Sequence, residues 1–224
     1  MFLCQNEAML VNKAKHDKLV AYFKAGTCMR FKKGQLIIRP EDSPAYIYYV
    51  ERGFIKAYSI TKYGEENLHV IRRTGEVFPL IWVFTDEHRD IAYESLDNSV
   101  IWRQPKDDYL KFLENSPDAT GAVLELAIRA YRTYAERVNT LEYRSVRERV
   151  VSFLLSCMRR FGTPLPDGSV RINAPLRQQD IASSINSTRE TTSRELTALI
   201  RKDLISIDDR TIVLKDIAKL KAML

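Results

Sequence analysis

The stretch Arg177–Leu204, RQQDIASSINSTRETTSRELTALIRKDL, predicts two short helices joined by a tight turn. Ile181 and Ile185 lie one helical turn apart and give the first helix an inward apolar side. Asn186 follows, and asparagine enters a left-handed backbone conformation more easily than most residues do. The pattern therefore places the turn at Asn186.

The second helix of this stretch has an apolar side and a polar start. Ser187 or Thr188 can cap it, and Ser187 with Glu190 has the spacing of a capping box. We expect its apolar side to consist of Leu196, Leu199 and Ile200. The polar groups near its start are two guanidinium groups, a carboxylate and a hydroxyl: Arg189, Glu190, Ser193 and Arg194. This layout is typical of a recognition helix in a helix-turn-helix, although on spacing alone a solvated helix pair explains it equally well.

Positive charge is concentrated in the last third of the chain. From Arg144 to Leu224 there are fifteen Lys and Arg residues against nine Asp and Glu, a net charge of +6. The whole chain of 224 residues also has a net charge of +6, so the remainder is neutral. Such asymmetry is typical of a nucleic-acid-binding domain beside a neutral one. Surface charge can also serve solubility alone.

Composition and local pattern argue against a membrane protein, a secreted protein and a cysteine-based metal site. A hydrophobic content of 45% with 29% charged residues is ordinary for a soluble globular protein. No apolar run approaches the roughly 20 residues that span a bilayer, and the N-terminus lacks the pattern of a signal peptide. The three cysteines, Cys4, Cys28 and Cys157, have no metal-binding spacing. We therefore expect a cytoplasmic protein with no membrane partner, no metal and no cofactor.

Short β segments dominate residues 29–103, after a helical lead-in over about residues 7–25 that includes Leu10. Turn residues separate these segments, and no helix of useful length is expected between them. The predicted strands are Gln35–Ile38, Tyr46–Val50, Phe54–Ile60, Leu68–Ile71 and Val100–Trp102. Their length and spacing predict a small antiparallel roll or sandwich.

A long helix is predicted over Asp118–Tyr143, after a short one over Lys106–Asn115. Its apolar residues recur every third or fourth position: Val123, Ala127, Ala130, Tyr134, Val138 and Leu141. A narrow stripe of this kind is close to a heptad seam and predicts a homodimer interface. The alternative is that the helix packs on its own β-roll.

The C-terminal part reads as a winged helix-turn-helix. Ser145–Phe161 predicts a helix that holds Cys157 in its core face, and Pro164–Asn173 predicts a strand pair. Ile205–Leu214 alternates around Asp208 and Asp209 and predicts a closing β-wing. We therefore predict an α+β fold: an antiparallel, jelly-roll-like β-roll over residues 1–115, a dimerisation helix over 116–143 and a winged helix-turn-helix over 144–224.

A β-roll, a long helix and a winged helix-turn-helix in this order resemble the CRP/FNR family of bacterial transcription regulators. The most specific motif is Ser187–Leu196, which is similar to the recognition helix of the family. In the β-roll, Lys33-Gly34, Tyr48–Gly53 and Gly75–Phe78 resemble its strand and corner signatures. The resemblance implies a DNA-binding regulator rather than an enzyme. It also implies a homodimer on a palindromic operator, with RNA polymerase as a further partner if the protein activates transcription.

The family resemblance assigns side chains to DNA. Arginine suits guanine O6 and N7, and a carboxylate accepts from cytosine N4. The residues that would contact bases are Arg189, Glu190, Ser193 and Arg194, and those that would contact phosphates are Arg177, Gln178, Gln179 and Thr188. Ser193 is typical of one branch of the family and Arg189 of the other, so half-sites near TGTGA and near TTGA both stay open.

Cyclic AMP is not the expected effector, because the corner after the β-roll lacks the family's nucleotide-binding residues. Pro79 has no N–H to offer a phosphate, and Leu80 stands where a glutamate would accept from the ribose. Arg89 is followed by Asp90, whose charge would repel the phosphate. We expect the apolar segment Leu80–Phe84 to fill this pocket or to line a site for an apolar ligand.

Three other functions stay open. Haem or another small ligand could control a regulator of this family. A cupin-like metalloenzyme would need ligands from His16, His69 and His88, which have no His-x-His spacing. An architectural DNA binder would rely on charge and minor-groove wedges, and the base-reading side chains of the second helix argue against it.

Overall fold

Two antiparallel sheets form the β-roll in a computed structural model that describes residues 13–43, 45–87 and 90–224. Their strands are β1 (Thr27–Phe31), β2 (Leu36–Ile38), β3 (Tyr46–Arg52), β4 (Phe54–Ile60), β5 (Glu66–Arg73), β6 (Val77–Phe78), β7 (Ala92–Ser95) and β8 (Ser99–Pro105). One sheet has the order β1-β8-β3-β6, and the other has the order β2-β7-β4-β5. The antiparallel roll predicted from the turn-separated segments is confirmed, with β1, β6 and β7 as additional strands.

Helices α1 (Lys13–Lys24) and α3 (Lys106–Glu114) share a core with strand β3. Phe23 stacks on Tyr49 with ring centroids 5.4 Å apart, and it lies 5.6 Å from the ring of Tyr109. These aromatic side chains are buried, and they belong to the core that holds the helices against the sheet. Helix α1 agrees with the predicted lead-in, whereas Leu10 lies outside the described residues.

An aromatic stack connects the two sheets of the β-roll. Phe78 on β6 stacks on Tyr48 of β3 at 5.3 Å and on Tyr93 of β7 at 4.8 Å between ring centroids. Phe78 is fully buried, and both tyrosines are nearly so. Three large rings therefore occupy the space between the two sheets at this level of the roll.

A helix that the β pattern did not predict, α2 (Leu80–Thr85), follows strand β6. Leu80 and Val83 lie three residues apart, and both belong to the core formed by α1, α3 and β3. Ile81 and Phe84 are about half exposed. Helical periodicity divides this apolar run between two faces, so only part of it fills the core.

The long helix α4 (Pro117–Tyr143) is continuous, as predicted. Residues 134–224 with the segment 65–68 form one compact unit, and the other described residues up to Thr133 form a second. The division thus falls inside α4. None of the described helices is both long and apolar enough to cross a membrane.

The C-terminal unit contains a small four-stranded sheet and four helices in its described residues after Tyr143. These elements are α5 (Val146–Phe161), β9 (Gly162–Pro164), β10 (Val170–Ile172), α6 (Gln178–Ser184), α7 (Arg189–Arg201), β11 (Ile205–Asp208), β12 (Thr211–Leu214) and α8 (Ile217–Lys221). The sheet order is β11-β12-β10-β9. Cys157 is buried in α5, and burial raises the pKa of its thiol to about 12, so it serves as a core residue.

Candidate nucleic-acid interface

The turn between α6 and α7 has the backbone conformation that the sequence predicted. Asn186 has a positive φ of 50°, and the N–H of Ser187 donates to the carbonyl of Ala182 at 3.0 Å. This bond closes a Schellman motif, which ends a helix and redirects the chain. Helices α6 and α7 therefore form a helix-turn-helix with its turn at Asn186.

Thr188 caps the second helix. Its Oγ1 accepts a hydrogen bond from the backbone N–H of Thr191 at 3.1 Å. The N-cap is therefore Thr188 and not Ser187, and the predicted capping box between Ser187 and Glu190 is wrong. Asn186 and Ser187 both lie in the turn before the cap. The helix therefore begins one residue later than a cap at Ser187 would place it.

The first turns of α7 present polar side chains outward. Arg189, Glu190 and Arg194 are exposed, and Ser193 is half-buried. At about 100° per residue, these four positions fall within an arc of about 140° around the helix. Further along the helix Leu196 and Leu199 are buried.

Ile200, which was expected on the apolar side of α7, is 42% exposed. Each residue advances about 100° around a helix, and this step carries Ile200 from the buried Leu199 to the edge of the face. The prediction that Ile200 belongs to the inward face is therefore wrong. Helix α7 is also tied to α5, because Arg147 Nε donates to Glu195 Oε2 at 2.7 Å.

The start of α6 holds three of the predicted phosphate contacts. Gln178 and Gln179 are exposed in its first turn. Arg177 precedes them and donates from Nε and Nη2 to the buried carboxylate of Asp180, at 3.2 and 3.1 Å. The backbone N–H of Arg177 donates to the same carboxylate at 2.8 Å. Part of the charge of Arg177 is therefore used within the protein.

An open depression brings residues of α6, α7 and the wing together. Its polar lining consists of Arg177, Gln178, Gln179, Arg189, Asp209 and Arg210. Sequence reasoning missed Arg210, although it directly follows the Asp208-Asp209 turn of the wing, where Asp209 has a positive φ of 52°. The wing thus adds a cationic group beside four residues that were assigned to DNA.

Most of the exposed apolar residues of α4 differ from the residues predicted for the dimer seam. Val123 is only 4% exposed, because it packs in the core with α1 and α3, so it is wrong as a seam residue. Ala127, Ala130, Tyr134 and Leu141 are half-buried. Five large apolar residues of α4 are exposed. Tyr143 (82%) ends the helix, and the other four recur at heptad-like spacing: Leu124 (61%), Ile128 (59%), Tyr131 (73%) and Val138 (52%). Only Val138 belongs to both stripes.

The expected effector region is packed rather than polar. Leu80 is buried in the core, where a nucleotide-binding member would place a glutamate. Asp90 is exposed, and Arg89 lies outside the described residues, as does His88. His69 contacts Ser59, with Nε2 and Oγ 2.9 Å apart. The described residues contain no group of three or more His, Cys, Asp or Glu side chains that could hold a metal ion.

Two family models match the chain. Residues 28–116 match a cyclic nucleotide-binding domain, and residues 148–223 match a Crp-like helix-turn-helix domain. The Global nitrogen regulator of Synechocystis sp. is 31% identical over 185 residues, which are 81% of this chain and 81% of that protein. The nitrogen fixation regulation protein FixK of Bradyrhizobium diazoefficiens is 26% identical, over 88% of this chain and 82% of FixK.

Solved structures share the fold. FixK2 from Bradyrhizobium japonicum superposes with a TM-score of 0.75 at 22% identity, over 88% of this chain and 96% of that one. A CooA mutant from Carboxydothermus hydrogenoformans has a TM-score of 0.76 at 19% identity, over 91% of this chain and 89% of that one. With an exposed recognition helix and relatives that are named regulators, the chain belongs to the CRP/FNR family of DNA-binding transcription regulators.

Proposed function

We propose that the protein binds a palindromic operator as a homodimer, with α7 of each protomer in a major groove. The observation that carries this proposal is the division of α7, whose first turns expose Arg189, Glu190 and Arg194 while Leu196 is buried. Groups that are fixed on a rigid helix and directed away from the core are suited to reading base edges. Such a regulator acts in the cytoplasm, and RNA polymerase becomes a partner if it activates transcription.

Each base-reading side chain has a matching chemistry. Arg189 and Arg194 can each donate two parallel hydrogen bonds to guanine O6 and N7, and Glu190 can accept from cytosine N4. In the free protein Arg194 Nη2 donates to Thr191 Oγ1 at 3.1 Å, which holds the guanidinium near the helix surface. Ser193 adds a hydroxyl that can serve as donor or acceptor.

Exposure and position at helix starts support the assignment of the phosphate contacts. Gln178, Gln179 and Thr188 are exposed polar side chains at helix starts, where backbone N–H groups also face outward. Arg210 on the wing supports this assignment because it lines the same depression. Arg177 contributes less than an unpaired arginine would, since Asp180 already neutralises it.

Dimerisation through α4 would give the protein the two-fold symmetry that matches a palindromic operator. The exposed stripe of Leu124, Ile128, Tyr131 and Val138 has the period of a two-helix seam, and a second copy of α4 would cover it. A two-fold axis along this seam would set two recognition helices about one DNA turn apart, roughly 34 Å.

Binding-site selection tests the base assignments. Arg194→Ala should lose discrimination at one guanine in each half-site, about 1–3 kcal/mol, because no other group replaces its bidentate contact. Gln179→Ala should weaken binding about equally on all sequences, since a phosphate contact carries no base information. Arg201→Ala, at the exposed far end of the same helix, is the matched control. If Arg194→Ala selects the wild-type motif unchanged, the assignment is wrong.

The effector of this regulator is not expected to be cyclic AMP. A phosphodiester that is buried without partners loses several kcal/mol, which removes useful affinity. Leu80 supports this expectation because its packing leaves no carboxylate for the ribose at that position. Calorimetric titration with cyclic AMP and cyclic GMP should show no saturable binding. Binding in the low micromolar range that Arg89→Ala abolishes would refute the expectation.

A further inference from the structure

Two arginines from different helices donate to the carbonyl groups of the helix-turn-helix turn. Arg137 of α4 donates from Nε to the carbonyl of Ser184 at 3.1 Å. Arg149 of α5 donates from Nη1 to the carbonyls of Ile185 and Asn186, at 2.9 and 3.3 Å. Both arginines belong to the same compact unit as the turn.

These carbonyls are the ones that a helix end leaves without helical donors. The last four C=O groups of a helix have no intrahelical partner, and they carry the negative end of the helix dipole. Ser184 and Ile185 end α6, and Asn186 is the residue whose left-handed conformation redirects the chain toward α7. The two guanidinium groups therefore stabilise the turn residues Ser184 to Asn186, whose conformation sets the direction of the recognition helix.

Arg137 is itself held at its other end. Its Nη2 donates to Oδ1 of Asn67 at 2.9 Å, in the segment 65–68 of the same compact unit. Burial lowers the pKa of the Arg137 guanidinium, which nevertheless stays protonated. Arg149 is anchored in a similar way, because its Nε donates to the carbonyl of Arg144 at 3.1 Å. Each guanidinium is thus bound on two sides.

We propose that Arg137 and Arg149 are positioning residues for DNA recognition, which act by fixing the turn from Ser184 to Asn186. The inference rests on the proposed function of α7, and neither arginine needs to touch DNA. The planar fork of arginine suits this task, because one side chain reaches two acceptors in a fixed geometry. A lysine carries its donors on one nitrogen, so it cannot reproduce the two nitrogens, Nε and Nη2, from which Arg137 donates to Ser184 and Asn67.

Three variants and one matched control test the proposal. Arg137→Gln removes the guanidinium that connects Ser184 with Asn67, and Arg137→Lys keeps its charge. Arg149→Lys tests the second arginine, which donates to Ile185 and Asn186. Arg159→Gln removes the same charge from an exposed ion pair with Glu136 (2.6 Å) in the same unit. The assay measures the dissociation constant for the selected palindromic duplex and for a scrambled duplex. Amide exchange over residues 185–188 reports on the turn, including the Ser187 N–H that bonds to Ala182.

Arg137→Gln should weaken binding to the palindrome about tenfold, the value for one charged hydrogen bond, while binding to the scrambled duplex changes little. Arg137→Lys and Arg149→Lys should show a smaller loss of the same kind. Amide exchange in the turn should accelerate in all three variants. Arg159→Gln should retain both the specificity ratio and the slow exchange.

Failure of this inference can be separated from failure of the proposed function. A wild-type protein that selects no sequence refutes the proposed function, and slow exchange in Arg137→Gln then refutes the positioning role as well. If the wild type is specific and Arg137→Gln keeps its specificity ratio, only the positioning role is refuted. An equal fall in Arg159→Gln also refutes it, because the effect would then follow charge alone.

Discussion

Ile128 offers the most direct test of the proposed dimer seam on α4. Its side chain is 59% exposed in the protomer, and Leu124 and Tyr131 lie one turn away on either side. Full burial of an isoleucine side chain contributes about 1.5–3 kcal/mol, so the exposed fraction leaves about 1–2 kcal/mol to be gained in a dimer. Ile128→Ala removes most of this in both protomers, about 1–3 kcal/mol per dimer, which raises the dimer dissociation constant about 5- to 150-fold.

Sedimentation equilibrium or light scattering over a range of protein concentrations measures this shift. The matched control is Ile60→Ala, because Ile60 on β4 is 51% exposed and lies off the predicted seam. The control should leave the dimer dissociation constant unchanged. Operator binding by Ile128→Ala should become more strongly dependent on protein concentration, since dimer formation then limits it.

Two results would refute the seam. One is a wild-type protein that stays monomeric at micromolar concentration with and without operator DNA. The other is an equal shift in Ile128→Ala and Ile60→Ala, which would mean that the loss of exposed apolar area acts without regard to position. A shift in Ile128→Ala alone supports the pairing of α4 with a second copy.

Three further predictions concern the protomer. Alkylation followed by mass spectrometry should label the exposed Cys28 in the native protein, but Cys157 only after unfolding, because burial shields that thiol and raises its pKa to about 12. Phe78→Ala should lower the free energy of unfolding by about 3–5 kcal/mol in urea titrations, because it empties the centre of the aromatic stack. Hydrogen bonds from Ser145 lower the pKa of Glu148, so the capping box stabilises the fold above the ordinary carboxyl pKa. This contribution is lost as pH falls through the lowered pKa, and Glu148→Gln should remove that part of the pH dependence of unfolding.

Local sequence patterns predicted those elements whose conformation depends mainly on their own residues. Strand β4 matches its predicted bounds, and the turn at Asn186 follows from the conformational freedom of asparagine. The outward polar side of α7 could be predicted because the period of a helix divides its residues between two faces. The whole fold class followed once the order of these elements was known.

The face of α4 that packs inward could not be predicted from the sequence pattern, because two apolar stripes run along the same helix. One contains Val123 and the other contains Leu124, and both have nearly the same period. Which stripe faces inward depends on packing against α1 and α3, and periodicity carries no information about such contacts. Arg137, Arg149 and Arg210 were missed for the same reason, since their roles depend on residues far away in the sequence.

The basic last third of the chain uses much of its positive charge internally. Arg147 pairs with Glu195, Arg159 pairs with Glu136, and Arg177 pairs with Asp180. Arg149 is occupied by backbone carbonyls. Each phosphate contact adds about −0.9 to the salt slope of binding, so a count of all cations would predict too steep a slope. The charge excess therefore supports DNA binding by this part of the chain, and we expect the number of phosphate contacts to follow the exposed donors around the depression rather than the total charge.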